Sequence, residues 1–376
     1  MLTKSVITKT LSYSKSKDHT ERLQYRLTLW DEGKIDELIK EGETIQKKLQ
    51  STKKRNTEDT ARIFSKLVFQ GKISAALKFL SKESENGVLP TTDKVISELK
   101  EKHPDPSSIQ PDSLIHGPIE HVSKNYFDDI DEDTIKKAAK LTRGAGGPSQ
   151  FDADQFRRIL CSNSFKSEGR LLREQIAKFA KIIASSVIDP TCLEAYIACR
   201  LIPLNKNPGI RPIGIGEILR RIVGKAIGWT LNSDIQLAAG PLQASTDLKG
   251  GAEAAIHTMK DIFEADDTEG VILVDASNAF NSLNRKVALY NIQYICPPFA
   301  NILINTYRHP SRLFIAGGRE ILSQEGTTQG DNLAMSFYGL GTNTLLNTLK
   351  QKVSEIKQVW LADDATGAGR LIFLRK

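Results

Sequence analysis

The chain has 376 residues, of which 40% are hydrophobic, so it is long enough for two or three domains with substantial cores. Its 52 Lys and Arg residues outnumber its 45 Asp and Glu residues, which gives a net charge of +7. This mildly basic balance suits a nucleic-acid partner. Lys and Glu interspersed on helix surfaces, where they provide solubility, produce the same balance, so the charge alone leaves both explanations open.

Cysteine usage and hydropathy exclude several classes of protein. The four cysteines form no CxxC pair and have no histidine at zinc-finger spacing, so we expect reduced, mostly buried thiols and no zinc site. No run of eighteen apolar residues occurs, which argues against a membrane-spanning helix and a membrane partner. We therefore expect an intracellular protein of the cytoplasm or nucleus that is not secreted.

Composition and periodicity divide the chain into four segments. Residues 1–86 have apolar positions at helical spacing, which predicts a helical N-terminal region. Residues 87–125 are rich in Pro, Ser and Asp, which is typical of a linker, with one short helix at 92–102. The segment 126–270 begins with helices, and after Leu193 strands and helices alternate through the segment 271–376. The pattern predicts an α+β fold with helices on one face of a mostly antiparallel sheet.

Two basic or glycine-rich segments resemble binding motifs without completing them. The run "TKKRN" (52–56) has the composition of a nuclear-entry or phosphate-binding patch, but a solvated connection explains it better. The run "RGAGGPS" (143–149) lacks the Lys-Ser/Thr ending of a phosphate-binding P-loop and follows no strand. We expect it to be a flexible turn that leads into a helix capped near Asp152.

Acidic residues end two apolar strands. Asp275 follows "VILV", predicted to be a buried strand, and Asp363 and Asp364 follow "VWLA". Carboxylates held together repel one another, so their convergence requires a cation. Mg²⁺ prefers a few carboxylates plus substrate phosphate oxygens. Two such ions, typically ~3.5–4 Å apart, can activate an attacking hydroxyl and stabilise a leaving pyrophosphate. The alternative is a pair of unrelated turns that happen to use Asp.

Five segments in chain order carry a family resemblance. "VDASNAF", "EGTTQGDNLAM" and "LADDATG" resemble the three core motifs of reverse transcriptases from retroelements. "LIPLNKNPGIRPIGIGEILRRIVGKAI" resembles the fingers motifs of that family, and "GGPSQFDADQFRRIL" is similar to a stretch that precedes them. The resemblance covers roughly residues 140–369. It implies a right-hand polymerase fold with fingers over 126–270 and a palm over 271–376, whose antiparallel sheet carries helices on one face.

The resemblance also implies a set of site residues. Asp275 and Asp363 would be metal ligands for two Mg²⁺ ions, or Mn²⁺, with the carbonyl of Ala276 as a further ligand and Asp364 as the third acid. Lys206 and Arg211 would grip the triphosphate, although a lysine at a turn is also explained by solvation. The implied nucleotide-binding residues are Lys206, Arg211, Ala279, Phe280, Gln329 and Gly330.

Three of these nucleotide-binding positions carry specific expectations. Phe280 corresponds to the family's steric gate, a ring beneath the sugar that excludes a 2′-hydroxyl and so favours deoxynucleotides. Without the motif, a core aromatic after a strand would explain the same residue. Gln329 and Gly330 open a helix predicted at Asp331, and the family commonly has Pro where this chain has Asn332.

The sequence thus predicts an RNA-directed DNA polymerase domain of a retrotransposon, a nucleotidyltransferase that uses an RNA template, a DNA primer and dNTPs. Only twelve residues follow the paired aspartates, so we expect the palm to be truncated and the thumb to be missing, which leaves the activity of this chain open. The alternative is a catalytically inactive, truncated or domesticated remnant that binds RNA or a protein partner. RNA-templated RNA synthesis is a third interpretation.

Overall fold

The computed structural model of this protein describes residues 16–50, 57–71, 73, 76–77, 87–245 and 250–375. These residues form a mixed α+β fold with two small sheets, which confirms the coarse fold class. The patch at 52–56 and parts of the predicted N-terminal helices lie outside the described residues. No helix in the described ranges is both long and apolar enough to cross a membrane.

Helices dominate the chain before the first strand. They are α1 Ser16–Asp31, α2 Ile35–Gln50, α3 Thr57–Phe69, α4 Asp93–Glu101, α5 Glu132–Leu141, α6 Ala153–Cys161, α7 Lys166–Ser185 and α8 Glu194–Ile197. Two of their starts follow from local sequence. The Thr92 hydroxyl accepts a hydrogen bond from the Val95 N–H at 3.3 Å, and Asp152 and Gln155 form a reciprocal capping box. The predicted short helix and the predicted cap are therefore confirmed.

The strands are distributed over two sheets, with helices between them. The strands are β1 Cys199–Asn205, β2 Ile210–Gly216, β3 Gly270–Asp275, β4 Ser311–Ile315, β5 Arg319–Ser323, β6 Lys357–Leu361 and β7 Asp364–Gly369. The helices are α9 Ile218–Ala239, α10 Gly251–Phe263, α11 Ala279–Ser282, α12 Arg285–Ile295, α13 Pro297–Tyr307, α14 Ala334–Gly341, α15 Asn343–Lys352 and α16 Leu371–Leu374.

The strand pairing differs from the single sheet that the sequence predicts. One sheet has the order β2-β1-β4-β5, with β1 and β4 parallel and the other pairs antiparallel. The other has the order β3-β7-β6 and is antiparallel throughout. Because β4 pairs with β1, and β5 with β4, strands of the predicted segments 126–270 and 271–376 share a sheet.

Strand β3 was predicted to be buried, and this prediction is wrong. It lies at the edge of its sheet, and all four of its large apolar side chains are exposed, Leu273 at 77%. The central strand is instead β7, which the sequence analysis missed because "DATGAG" contains no large apolar residue. Its small side chains fit between two neighbours, and Ala365 and Ala368 are buried. Position in the sheet, not hydrophobicity, decided which strand is covered.

The main core is formed by helices packed around α9. This helix is apolar on several sides, with Ile222, Ile227 and Leu231 fully buried against α5, α7, α13 and α14. The helix predicted to start at Asp331 begins three residues later, at Ala334, and is interrupted at Thr342. The segment before α14 is consequently a turn, and this turn forms one wall of the site described below.

All four cysteines are free thiols, as predicted. Cys199 and Cys296 are buried, Cys161 is partly buried and Cys192 is exposed, so the expectation of mostly buried thiols holds for only two of them. Burial raises the pKa of the Cys199 thiol to about 11, which keeps it protonated at neutral pH.

Candidate functional site

The three predicted acids meet through the strand that the sequence analysis missed. Asp275 ends β3 and faces Asp364, the first residue of β7, in antiparallel register. Leu361, the end of β6, faces Asp364 from the other side. Asp363 therefore lies in the tight turn between β6 and β7, at the same end of the sheet as Asp275. The carboxylates converge because β7 folds back between the two strands.

The β6–β7 turn is held in an unusual backbone conformation. Ala362 has φ +57°, a left-handed conformation that is uncommon for a residue with a Cβ. Its N–H donates a 2.8 Å hydrogen bond to Oε1 of Gln243, which is 1% exposed and lies 119 residues away in the chain. Backbone hydrogen bonds of Trp360 with Leu242 and Ala244, each 2.8 Å, fix this segment beside β6. Gln243 has no sequence pattern that would reveal this role.

A cavity of about 230 Å³ opens beside the acids. Of the predicted site residues, it is lined by Lys206, Arg211, Asp275, Ala276, Ala279, Phe280, Gln329 and Asp363. Asp364 and Gly330 do not line it. Lys102, which the sequence analysis did not single out, adds a third cation, and its backbone carbonyl accepts a 3.0 Å hydrogen bond from Asn278 Nδ2.

The acids beside the cavity repel one another, and Lys206 offsets this repulsion only in part. Burial is the largest cause that raises the pKa of Asp363 above its usual range, and the nearby Asp364 and Asp275 raise it further. Lys206 acts in the opposite direction. Since the carboxylates repel one another, a bound cation would reduce the electrostatic repulsion that remains among them.

The residues fit a magnesium ion whose coordination is completed by a substrate. Among the described residues, no group of three or more His, Cys, Asp or Glu side chains is close enough to hold a metal alone. Mg²⁺ is commonly bound by one or two carboxylates plus phosphate oxygens and water. Asp275 and Asp363 supply two carboxylates at the cavity, and the cationic side faces them.

The hairpin β1–β2 supplies that cationic side. A Lys-Asn-Pro-Gly turn joins its two strands, and the Lys206 N–H donates to the Gly209 carbonyl at 3.1 Å. Lys206 follows β1 at the tip, while Arg211 lies in β2 opposite Leu204. Both side chains are exposed, and neither is within ion-pair distance of a described carboxylate. They are therefore free to bind an anion that enters the cavity.

Phe280 is fixed from two directions. Its ring stacks on Tyr338, with centroids 4.8 Å apart and an interplanar angle of 27°. Burial first, and the Asp363 carboxylate second, raise the pKa of Tyr338 to about 12, so its phenol stays neutral. The carbonyl of Phe280 accepts a hydrogen bond from the Thr327 N–H. The ring thus forms a firm wall of the cavity.

Gly326 makes the close approach to Phe280 possible, which leads to a prediction. Gly326 has φ +62°, and a Cβ there would lie 2.2 Å from the Phe280 carbonyl oxygen. We expect Gly326→Ala to lower the free energy of unfolding by about 3 kcal/mol or more, from backbone strain and overpacking together. The control is Gly317→Ala, where φ is +91° but no atom lies within 4 Å, so strain acts alone. Urea titrations measure the free energy of unfolding of both variants. Equal decreases in the two would contradict the argument that Gly326→Ala adds overpacking to backbone strain.

The turn that contains Gln329 is clamped to β2 and α9. The Gly214 N–H donates to the Gln329 carbonyl at 2.9 Å, and a Cβ on Gly330 (φ +113°) would lie 2.7 Å from the Gly214 carbonyl oxygen. At the far end of the turn, Asn332 Nδ2 donates to the Arg221 carbonyl at 2.7 Å. Gly330 therefore acts through close backbone packing and not as a wall of the cavity.

A buried ion pair supports the same turn from behind. The Arg220 guanidinium contacts Asp331 Oδ2, and both side chains are at most 5% exposed. The Tyr307 hydroxyl donates to the same oxygen at 2.6 Å, and Arg220 also donates to the Ile197 carbonyl at 2.9 Å. Burial alone would lower the pKa of Arg220, but Asp331 reverses this and raises it. The sequence analysis did not detect this cluster, because its members are 24 and 111 residues apart.

Comparison of the sequence with models of known protein families, and with curated proteins, finds no match.

Proposed function

We propose that this chain is an RNA-directed DNA polymerase domain of the retroelement type, which transfers deoxynucleotides from dNTPs to a primer 3′-hydroxyl on an RNA template. The observation that carries the proposal is one cavity that collects acids, cations, an aromatic ring and an amide from five separate segments of the chain. In this proposal the β1–β2 hairpin belongs to the fingers, and β3, β6 and β7 belong to the palm. The reaction would take place inside the cell, in the cytoplasm or nucleus.

Different residues of the chain would bind the metal ion and the phosphates of the substrate. Asp275 and Asp363 would hold Mg²⁺, or Mn²⁺, which when bound supplies charge neutralisation for nucleotidyl transfer. Lys206 and Arg211 would bind the β- and γ-phosphates, since a guanidinium forms paired hydrogen bonds with phosphate oxygens. The phosphates would lie between these cations and the acids, all of which line the same cavity.

The neutral wall of the cavity would position the nucleotide. The Gln329 side chain has both a donor and an acceptor, so it can bind the template or the incoming nucleotide without distinguishing bases. The Gln329 backbone is held by β2, so this amide is presented from a rigid turn. Phe280, stacked on Tyr338, would lie beneath the sugar.

Two measurements on the full 376-residue chain test the proposal. We expect Mg²⁺-dependent binding of a dNTP in calorimetry, and extension of a DNA primer on poly(rA) with dTTP. Lys206→Ala and Arg211→Ala should each weaken dNTP binding by roughly tenfold, because each removes a charge-assisted phosphate contact. An exposed cation away from the cavity, changed in Arg312→Ala, is the matched control. Absence of both binding and extension would overturn the proposal.

The gate position provides a test of substrate choice. We expect Phe280→Ala to raise the use of ribonucleotides relative to deoxynucleotides by about 10- to 100-fold, because space opens for the 2′-hydroxyl. The measurement is the ratio of kcat/KM for UTP and dTTP on the same primer and template. Tyr338→Phe keeps the stacking partner and should leave this ratio unchanged. An unchanged ratio in Phe280→Ala would remove the gate assignment and favour RNA-templated RNA synthesis.

A second candidate is a catalytically inactive remnant that binds RNA or a protein partner. The observation that favours it is the exposure of β3, since the strand that carries Asp275 has one unpaired edge and uncovered apolar side chains. A catalytic acid requires a rigid support, and an edge strand supports it from one side only. Binding of Mg²⁺ and dNTP without any primer extension would favour this candidate.

A further inference from the structure

A second cavity, of about 640 Å³, lies on the sheet that contains the β1–β2 hairpin. It is lined by three runs of chain, 88–91, 200–203 at the middle of β1 and 314–316 at the end of β4, together with Pro148 and Gln150. None of these residues lines the cavity beside the acids. Its volume is in the range of sites that bind small organic molecules.

The cavity exists because two different partners share one edge of β1. The register of β1 and β4 covers two residue pairs, the second of which is Arg200 opposite Phe314. Further along the same edge, the Leu89 N–H donates to the Pro203 carbonyl at 2.9 Å, so the segment 88–91 takes the place of β4. Pro203 itself has no N–H with which to continue the pairing to β4. The cavity lies where the two partners separate.

Most of the cavity wall is apolar. Ten of its thirteen residues are Val, Leu, Ile, Phe, Pro or Ala, which leaves Thr91, Gln150 and Arg200 as the polar ones. Two of the apolar side chains remain in contact with water, since Val88 is 43% exposed and Phe314 is 36% exposed. A ligand whose apolar part covered this surface would gain free energy from its removal from water.

Arg200 is the single charged residue of the lining, and its guanidinium has no counter-ion. Its Nε is buried and has no hydrogen-bond partner, and no carboxylate of the described residues lies within ion-pair distance. Arg312 on the neighbouring strand β4, by contrast, pairs with Glu320 at 3.2 Å. A buried donor without an acceptor is unfavourable, especially on a charged group, so an acidic ligand would satisfy a need that the protein leaves open.

The single cation and the apolar wall indicate a carboxylate and not a phosphate. A guanidinium matches the two oxygens of a carboxylate, which carries one negative charge. A phosphate chain carries repeated charges and is bound by several cations along its path, whereas this lining supplies one. A polynucleotide therefore fits this cavity less well than a small molecule with one acidic end and one apolar end.

We propose that this cavity binds a small apolar carboxylic acid, whose carboxylate pairs with Arg200 and whose apolar chain lies against Ile202, Phe314 and the segment 88–91. The inference does not rest on the proposed polymerase function. None of the lining residues is among the site residues that the sequence resemblance implied.

The test measures binding of decanoate to the full chain by calorimetry and thermal unfolding, without metal, dNTP or primer, at concentrations at which decanoate forms no micelles. Decanol has the same chain without the charge, and butyrate has the charge without the long chain. We expect decanoate to bind at least tenfold more tightly than either. Decylammonium, which places a positive charge beside Arg200, should bind more weakly than decanol.

Arg200→Met removes the guanidinium and keeps an unbranched apolar stem. We expect it to weaken decanoate binding at least tenfold and to change decanol binding less than about twofold. It should not lower the melting temperature of the free protein, because the Nε that it removes has no partner. A purely structural arginine would give the opposite result. Arg312→Met, the same change at an exposed position of β4, should alter decanoate affinity less than about twofold.

Ala316→Phe tests the apolar part of the cavity. Ala316 is exposed at the end of the β4 segment that lines the cavity, so a ring there would occupy ligand space without entering the core. We expect both decanoate and decanol to bind at least tenfold more weakly.

Several outcomes would overturn the inference. They are absence of decanoate binding, equal affinity for decanoate and decanol, or unchanged decanoate affinity in Arg200→Met or Ala316→Phe. Displacement of decanoate by oligouridylate would assign Arg200 to a polynucleotide and would overturn it as well. Decanoate binding in a chain that extends no primer would keep the cavity assignment and remove the polymerase activity, and primer extension without decanoate binding would do the reverse.

Discussion

Asp363→Asn is expected to reduce primer extension on the order of a thousandfold or more. In the proposed function the substitution replaces a carboxylate that would bind metal by an amide of the same shape, so several kcal/mol of transition-state stabilisation would be lost while packing is retained. The same variant should lose the increase in melting temperature that Mg²⁺ and a dNTP together produce in the parent protein. Steady-state extension and thermal unfolding with and without Mg²⁺ measure the two effects.

Asp364→Asn is the matched control for this prediction. Asp364 is adjacent in sequence, but its side chain is exposed and does not line the cavity. We expect Asp364→Asn to lose less primer extension than Asp363→Asn does. It should also keep most of the increase in melting temperature with Mg²⁺ and a dNTP. Without metal, Asp363→Asn should not lower the melting temperature, because the carboxylate it removes is held near two others. Equal activity losses in the two variants would contradict the placement of Asp363 as the main metal ligand.

Asp331→Ala is expected to lower the free energy of unfolding by ~3–5 kcal/mol. The substitution leaves the Arg220 guanidinium buried without its counter-ion and removes the acceptor of the Tyr307 hydroxyl. Tyr307→Phe removes only the hydroxyl and should cost about 1–2 kcal/mol. Urea titrations at neutral pH measure both values, provided that the slopes stay equal.

A double substitution separates the pair interaction from the cost of an orphaned charge. Arg220→Met combined with Asp331→Leu removes both charges and keeps the buried volume close to the original. We expect the double variant to be less destabilised than Asp331→Ala, since replacement of a buried pair by apolar side chains is often close to neutral. If the free energy of unfolding of the double variant fell by the sum of the decreases in the two single variants, the two residues would not act as a pair.

The buried pair also links fold stability to the site. Asp331 lies two residues after Gln329, which lines the acidic cavity, so the turn cannot move without disturbing Arg220. The Gly326→Ala and Asp331→Ala predictions therefore probe the two ends of one segment, which is fixed by backbone packing at one end and by buried charge at the other.

Local signals in the sequence correctly identified the elements that depend on neighbouring residues. The start of α4 after Thr92 and the capping box at Asp152 each rest on hydrogen bonds within a few residues. Such bonds form wherever the same short sequence occurs, so they can be read without knowing the rest of the chain. The position of Asp275 at a strand end is of the same kind.

The tertiary structure alone decided how these pieces meet. Hydrophobicity predicted that β3 is buried, yet small residues make β7 the strand that fits between two neighbours and brings Asp275 to the same end of the sheet as Asp363. The Gln243 contact with the acidic turn and the Arg220–Asp331 pair join residues more than a hundred positions apart. Such contacts depend on the packing of whole elements and leave no local pattern. The sequence by itself therefore determined which side chains are available for chemistry, and packing determined which of them share a cavity.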